Sequence, residues 1–177
     1  MVTVYWIIKF LTFPGTLLKA FLEHLFCRIY KVPVEFAEYM QRNELCGHAE
    51  HLLAEHKGSF AICFGPHIIM LLLGLMTALP ASIGLGYLGS VTPAAVILFY
   101  IAVSILTNLF PLYEDALHMW DHLYGEGSGS SKGSRIALAV PAFIMQIGSF
   151  LEQYGITLVT SIVFVWFFAY VVAKIIG

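Results

Sequence analysis

Charge is what this sequence has least of. Of its 177 residues, 9 are Lys or Arg and 11 are Asp or Glu, or 11% of the chain. Soluble domains run near 25% charged, so a water-facing globular domain is excluded and an integral membrane protein is implied. No basic stripe is present, so nothing suggests nucleic acid. The net charge of -2 argues for neither an acidic nor a basic partner. There are only three cysteines, Cys27, Cys46 and Cys63, too few and too odd in number for a disulfide framework. The first residues, MVTVYWIIKFLTF, lack a basic start and a small-residue cleavage site, so the segment reads as retained. No G-x-S-x-G, P-loop or strand-linked G-x-G-x-x-G occurs, and no internal repeat is evident.

What the chain has is apolar length. Hydrophobic residues make up 59% of it and the mean hydropathy is +0.84. The expected fold is an all-α integral membrane protein forming a single membrane domain, with about four full spans of roughly 20 residues plus one or two short or re-entrant helices. Residues 1–31 hold a short interfacial helix and then a helix over 15–31. Pro14 suits the first helical position, and Pro33 discourages continuation. Residues 32–58 are polar, with five of the eleven acids and three of the seven histidines. A helix near 34–45, a break at Gly47 and an amphipathic piece to Lys57 are expected there. Residues 59–113 contain two spans, the first kinked at Gly65-Pro66. Residues 114–134 hold a polar helix and a flexible Gly/Ser loop. Residues 135–177 read as a C-terminal helical hairpin turning at Tyr154-Gly155.

Basic residues set the expected orientation. Arg28, Lys31, Arg42 and Lys57 flank the first polar loop, Lys132 and Arg135 the second, and Lys174 lies near the C-terminus. One topology places both polar loops and the C-terminus in the cytoplasm. There a free thiolate can bind metal.

Three clusters can carry chemistry. In the helix 13–31, Glu23, His24 and Cys27 share one face at i, i+3 and i, i+4 spacing. Ionisable groups inside a membrane segment suggest function by default. The plainer reading is a helix end at the interface, with Arg28 and Lys31 snorkelling and Cys27 as a small hydrophobe. Next, Asn43–His51 places Glu44, Cys46, His48, Glu50 and His51 within nine residues. All are competent zinc ligands, and a solvated loop is the alternative. In Glu114–Tyr124, Asp115, His118 and His122 present an acid and two imidazoles on one helix face. Ordinary exposed (i, i+4) pairs would look the same. His67, beside Gly65-Pro66, is a further contributor or a lone buried histidine bonded to a backbone carbonyl.

Three stretches in order resemble the site-2 protease-like intramembrane zinc metalloproteases: Phe13-Pro14-Gly15, Gly65-Pro66, and Asn108-Leu109-Phe110-Pro111 with Asp115. The likeness covers roughly residues 13–122. It implies a helical membrane core, zinc, and Asp115 as a metal ligand. The chain departs from the family where its H-E-x-x-H would fall. It reads Lys19-Ala20-Phe21-Leu22-Glu23 there, so both metal histidines and the usual base are replaced. The resemblance thus implies either a degenerate member or a rebuilt site. In a rebuilt site Glu23 is base or ligand, and His24, Cys27, Cys46, His48, Asp115, His118 and His122 are the zinc ligand candidates. Two alternatives stand beside it. One is a non-catalytic scaffold or adaptor that binds a protein partner through cytoplasmic loops. The other is a small ion transporter, disfavoured because polar residues are sparse through 92–113 and 156–176. The lipid bilayer is the one partner common to all three.

Overall fold

The computed structural model describes residues 2–39, 48–51, 59–125 and 131–176. They form α1 (Val2–Leu11), α2 (Phe13–Ile29), β1 (Val34–Glu38), β2 (His48–His51), α3 (Ser59–Ala81), a π-helical extension of α3 (Ser82–Tyr87), α4 (Pro93–Thr107), α5 (Tyr113–Tyr124), α6 (Lys132–Gln153) and α7 (Ile156–Ile176). Among the described residues, three helical stretches are long and apolar enough to cross a membrane: Phe64–Tyr87, Lys132–Gln153 and Ile156–Ile175. The fourth expected span is shorter than predicted. α4 has 15 residues, about 22 Å at 1.5 Å per residue, and falls short of a hydrocarbon core of about 30 Å.

The break between α1 and α2 is set locally. Thr12 leaves helical geometry at φ -107°, ψ 37°, and Pro14 follows at the head of α2, where a missing N–H costs nothing. At the other end α2 closes in a Schellman motif. The Val32 N–H donates to the Cys27 carbonyl at 2.9 Å and the Lys31 N–H to the Arg28 carbonyl at 3.3 Å. Lys31 takes the left-handed position, φ 56°, and Val32 packs on Cys27 and Ile62.

One expectation is corrected here. The predicted helix near 34–45 is instead a strand over Val34–Glu38, paired antiparallel with β2 from Val34 opposite His51 to Glu38 opposite His48. Pro33 biases its neighbour to extended backbone, and Val34 and Phe36 favour strand. The strand pair lies against α2. Of the expected amphipathic piece to Lys57, His48–His51 is the strand β2; Gly47 and residues 52–57 lie outside the described residues.

α3 packs against α2, α4, α5 and α7. α2 runs beside it, with Leu22, Met70 and Ile105 in one cluster. Near its start, Phe64 clusters with Met119 and Leu123 of α5 and Ala142 of α6. Near its end, Ala78 and Ala81 cluster with Ala102, Val103 and Leu106 of α4 and Val165 of α7. The Ser82 hydroxyl enters the α7 ladder, donating to the Trp166 carbonyl at 3.2 Å and accepting from the Ala169 N–H at 2.7 Å.

Candidate functional site

The most polar buried place in the described residues is the junction where α1, α2, α4 and α6 meet. The Phe13-Pro14-Gly15 turn makes the approach possible. A Cβ on Gly15 would run into the Ser104 carbonyl, so only glycine lets α2 lie this close to α4. In return the Gly15 N–H donates to the Ser104 hydroxyl at 2.7 Å, which itself donates to the Thr12 carbonyl at 2.8 Å. The loose backbone groups at the α1–α2 break are thereby satisfied.

Asn108, at the end of α4, organises the next layer. Its amide nitrogen donates to the Thr12 hydroxyl at 2.9 Å and the Ser104 carbonyl at 2.8 Å. Its carbonyl oxygen accepts from Lys9 Nζ at 2.8 Å and from the Thr16 hydroxyl at 3.2 Å. This fixes the amide orientation: oxygen towards the ammonium, nitrogen towards the carbonyls.

Lys9 and Lys19 then share one carboxylate. Glu152 Oε1 lies 2.5 Å from Lys9 Nζ and 2.9 Å from Lys19 Nζ. Its other oxygen accepts the Phe110 N–H at 2.9 Å, and Lys19 Nζ also donates to the Phe110 carbonyl. Lys9, Lys19, Asn108 and Glu152 are at most 5% exposed. Two ammoniums facing one carboxylate leave a formal excess of positive charge. Part of the answer is helical. Lys9 sits in the last turn of α1, and Lys19 reaches the carbonyl two residues past the Asn108 cap of α4. A helix C-terminus carries about half an elementary negative charge. The Tyr5 ring, 4.9 Å from Lys9 Nζ, adds a cation–π contact.

One turn further along α2 lies a second group, of opposite sign. Glu23 and Cys27 are both buried. Burial pushes the Cys27 thiol up to about 12, with the Glu23 and Asp115 carboxylates pushing the same way. Cys27 packs beside Ile62, just before the α3 span begins. Of the predicted ligands, the fold thus brings Glu23, Cys27 and Asp115 into one neighbourhood. His24 turns away, its Nδ1 lying 3.3 Å from the Tyr39 hydroxyl. His118 is exposed on the outer face of α5. Cys46 and the side chains of His48 and His122 lie outside the described residues. Among the described residues no three His, Cys, Asp or Glu groups converge to hold a metal.

The zinc implied by the resemblance was tested against the residues present. At the first ligand position stands the Lys19 ammonium, tied to Glu152. A second cation there would meet like charge at close range. The family's site therefore does not fit this chain.

Sequence reasoning passed over Lys9 and Glu152. The signal was available: each is a lone charge in an apolar run, and such residues in membrane segments face the protein interior and pair with one another. No family model, characterised protein or solved structure matches the chain.

Proposed function

We propose that this chain is a non-hydrolytic membrane protein of site-2 protease-like design. In this reading an internal ion pair replaces the catalytic metal, and the protein serves as a scaffold that binds a protein partner on its polar, cytoplasmic side. The observation that carries it is the Lys19–Glu152 pair. Lys19 occupies the first histidine position of the family motif, and its ammonium is held by a carboxylate from another helix, which leaves no donor lone pair facing a metal. Glu114, His118 and Asp121 on the exposed side of α5 are available to a partner.

A second reading is favoured by one observation: Glu23 and Asp115 both act on the Cys27 thiol. A divalent cation bound there would be held by Glu23, Cys27 and Asp115 and would displace the thiol proton.

Elemental analysis of protein purified without chelator, after equilibration with excess zinc, separates the two. The first reading expects no stoichiometric zinc in the wild type and the same in Lys19→Met. One zinc per chain, lost in Glu23→Ala and in Asp115→Ala, overturns it in favour of the second.

A further inference from the structure

We infer that α6 and α7 make a single crossing of the membrane between them, broken at Tyr154-Gly155, in place of the expected hairpin. The C-terminus then lies on the opposite face from both polar loops. The inference stands independently of the functional reading above.

α3 and its π extension serve as the ruler. At the start of the span, Phe64 clusters with Ala142 of α6. Further along, Met70 clusters with Ile105 and Leu109. The next residue, Phe110, receives Gly148, where a Cβ would strike its ring, and Glu152. At the far end, Ala78 and Ala81 meet Val165 and Phe168. Beyond them Ser82 bonds the Trp166 carbonyl and the Ala169 N–H, and the Gly86 carbonyl accepts from the Tyr170 hydroxyl. Residue numbers in α6 and then in α7 rise in the same direction as those of α3.

A side-by-side hairpin turning at Gly155 would bring Ala142 and Phe168 to the same depth. Instead they lie with Phe64 and with Ala78–Ala81, roughly 20–25 Å apart along α3 at 1.5 Å per residue. That is most of a hydrocarbon core of about 30 Å. Gly155 makes the join possible. Its φ of +74° is a left-handed turn that glycine adopts at no steric cost. A Cβ there would also strike Ile8.

The same construction accounts for the short α4. Its residues Ile105 and Leu106 lie beside Gly74, and α5 then descends to Phe64 through Met119. α4 and α5 together complete one passage. The breaks at Thr12, at 108–112 and at Tyr154-Gly155 all meet around Lys9, Lys19 and Glu152. Irregular backbone at membrane depth is tolerated where protein buries it, and here the broken ends are answered by one polar network. The charge distribution agrees. Arg28, Lys31, Lys132 and Arg135 fall on the loop side, and the other face receives only Lys174, as the positive-inside rule requires.

The test uses the full chain in sealed, uniformly oriented membrane vesicles. One epitope tag follows Gly177, a second is inserted in 126–130, and a third in the turn at Ser90. External protease should cleave the 126–130 tag and spare the other two, or do the reverse, and all three should be lost after detergent permeabilisation. Equal treatment of the 126–130 and C-terminal tags overturns the inference. Should an inserted tag prevent membrane insertion, tryptic fragments of the untagged chain report the same topology: cleavage after Lys132 or Arg135 with Lys174 protected supports the single crossing. Cleavage at both ends from the same side overturns it.

Discussion

Two buried groups sit about two turns apart on α2 and solve the problem of charge in opposite ways. At Lys19 the ammonium meets a carboxylate, a backbone carbonyl and, through Glu152, a second ammonium. At Cys27 burial keeps a thiol protonated, and the Glu23 and Asp115 carboxylates push the same way. The first arrangement stores its charge in a bonded network that joins four helices. The second reduces its charge by holding a proton. Burying a charge is costly unless it is paired, and a group lacking a partner neutralises instead. A metal is therefore least at home beside Lys19. If one binds at all, it binds where the carboxylates are.

The sharpest way to break this contrast is to remove the shared carboxylate. Glu152→Leu leaves two buried ammoniums facing each other, and removing one partner of a buried pair costs about 3–5 kcal/mol. The expected outcome is a protein that unfolds far below wild type in thermal melts in lipid nanodiscs. Adding Lys19→Met to Glu152→Leu should recover part of the loss, because it removes one of the stranded charges. Additive effects of the two substitutions would show that the lysine and the carboxylate do not act as a unit.

The second group is tested by pH. A thiol raised towards 12 in the folded chain and near 8.5 when unfolded contributes stability that is fully present below about pH 8.5 and is lost as pH rises towards 12. Wild type should therefore lose more stability between pH 8.5 and pH 11 than Cys27→Ala, which has no thiol to ionise. Parallel stability curves for the two proteins across that window would show that burial and the two carboxylates together do not hold the proton on the thiol.

How far the sequence reveals this arrangement depends on range. The membrane character, the placement of α3, the break after Thr12 and the polar helix at 113–124 follow from local pattern, and so does the closeness of Glu23 to Cys27 on one helix. Asp115 comes from another helix, and its carboxylate adds to the raised Cys27 thiol. The Lys9–Glu152–Lys19 bridge did not follow, because its partners are separated by 143 and 133 residues and no spacing rule reaches that far. The shortness of α4 has a related reason: hydropathy reports that a segment is apolar but not that its helix stops at Thr107 and is capped by Asn108. The strand at Val34–Glu38 lost to a helical reading because alanine and glutamate in that run favour helix. Val34 and Phe36 had a paired strand to satisfy, and that partner is itself non-local.

The smallest expected effect lies at the end of α2, which carries the second group. Lys31 holds the left-handed position that closes the Schellman motif, and a non-glycine residue there costs about 1–2 kcal/mol. Its side chain is exposed, so Lys31→Gly removes strain and no buried contact. Glycine also pays more conformational entropy on folding, by roughly 0.5–1 kcal/mol, so the net expectation is a gain of under about 1 kcal/mol. Thermal melts should show the midpoint rising slightly. Because the motif presses Val32 onto Cys27, the substitution should leave the Cys27 pH dependence in place. A lowered midpoint would mean that the Lys31 side chain contributes more than its backbone strain costs. A changed pH profile would mean that the cap governs how deeply the thiol is buried.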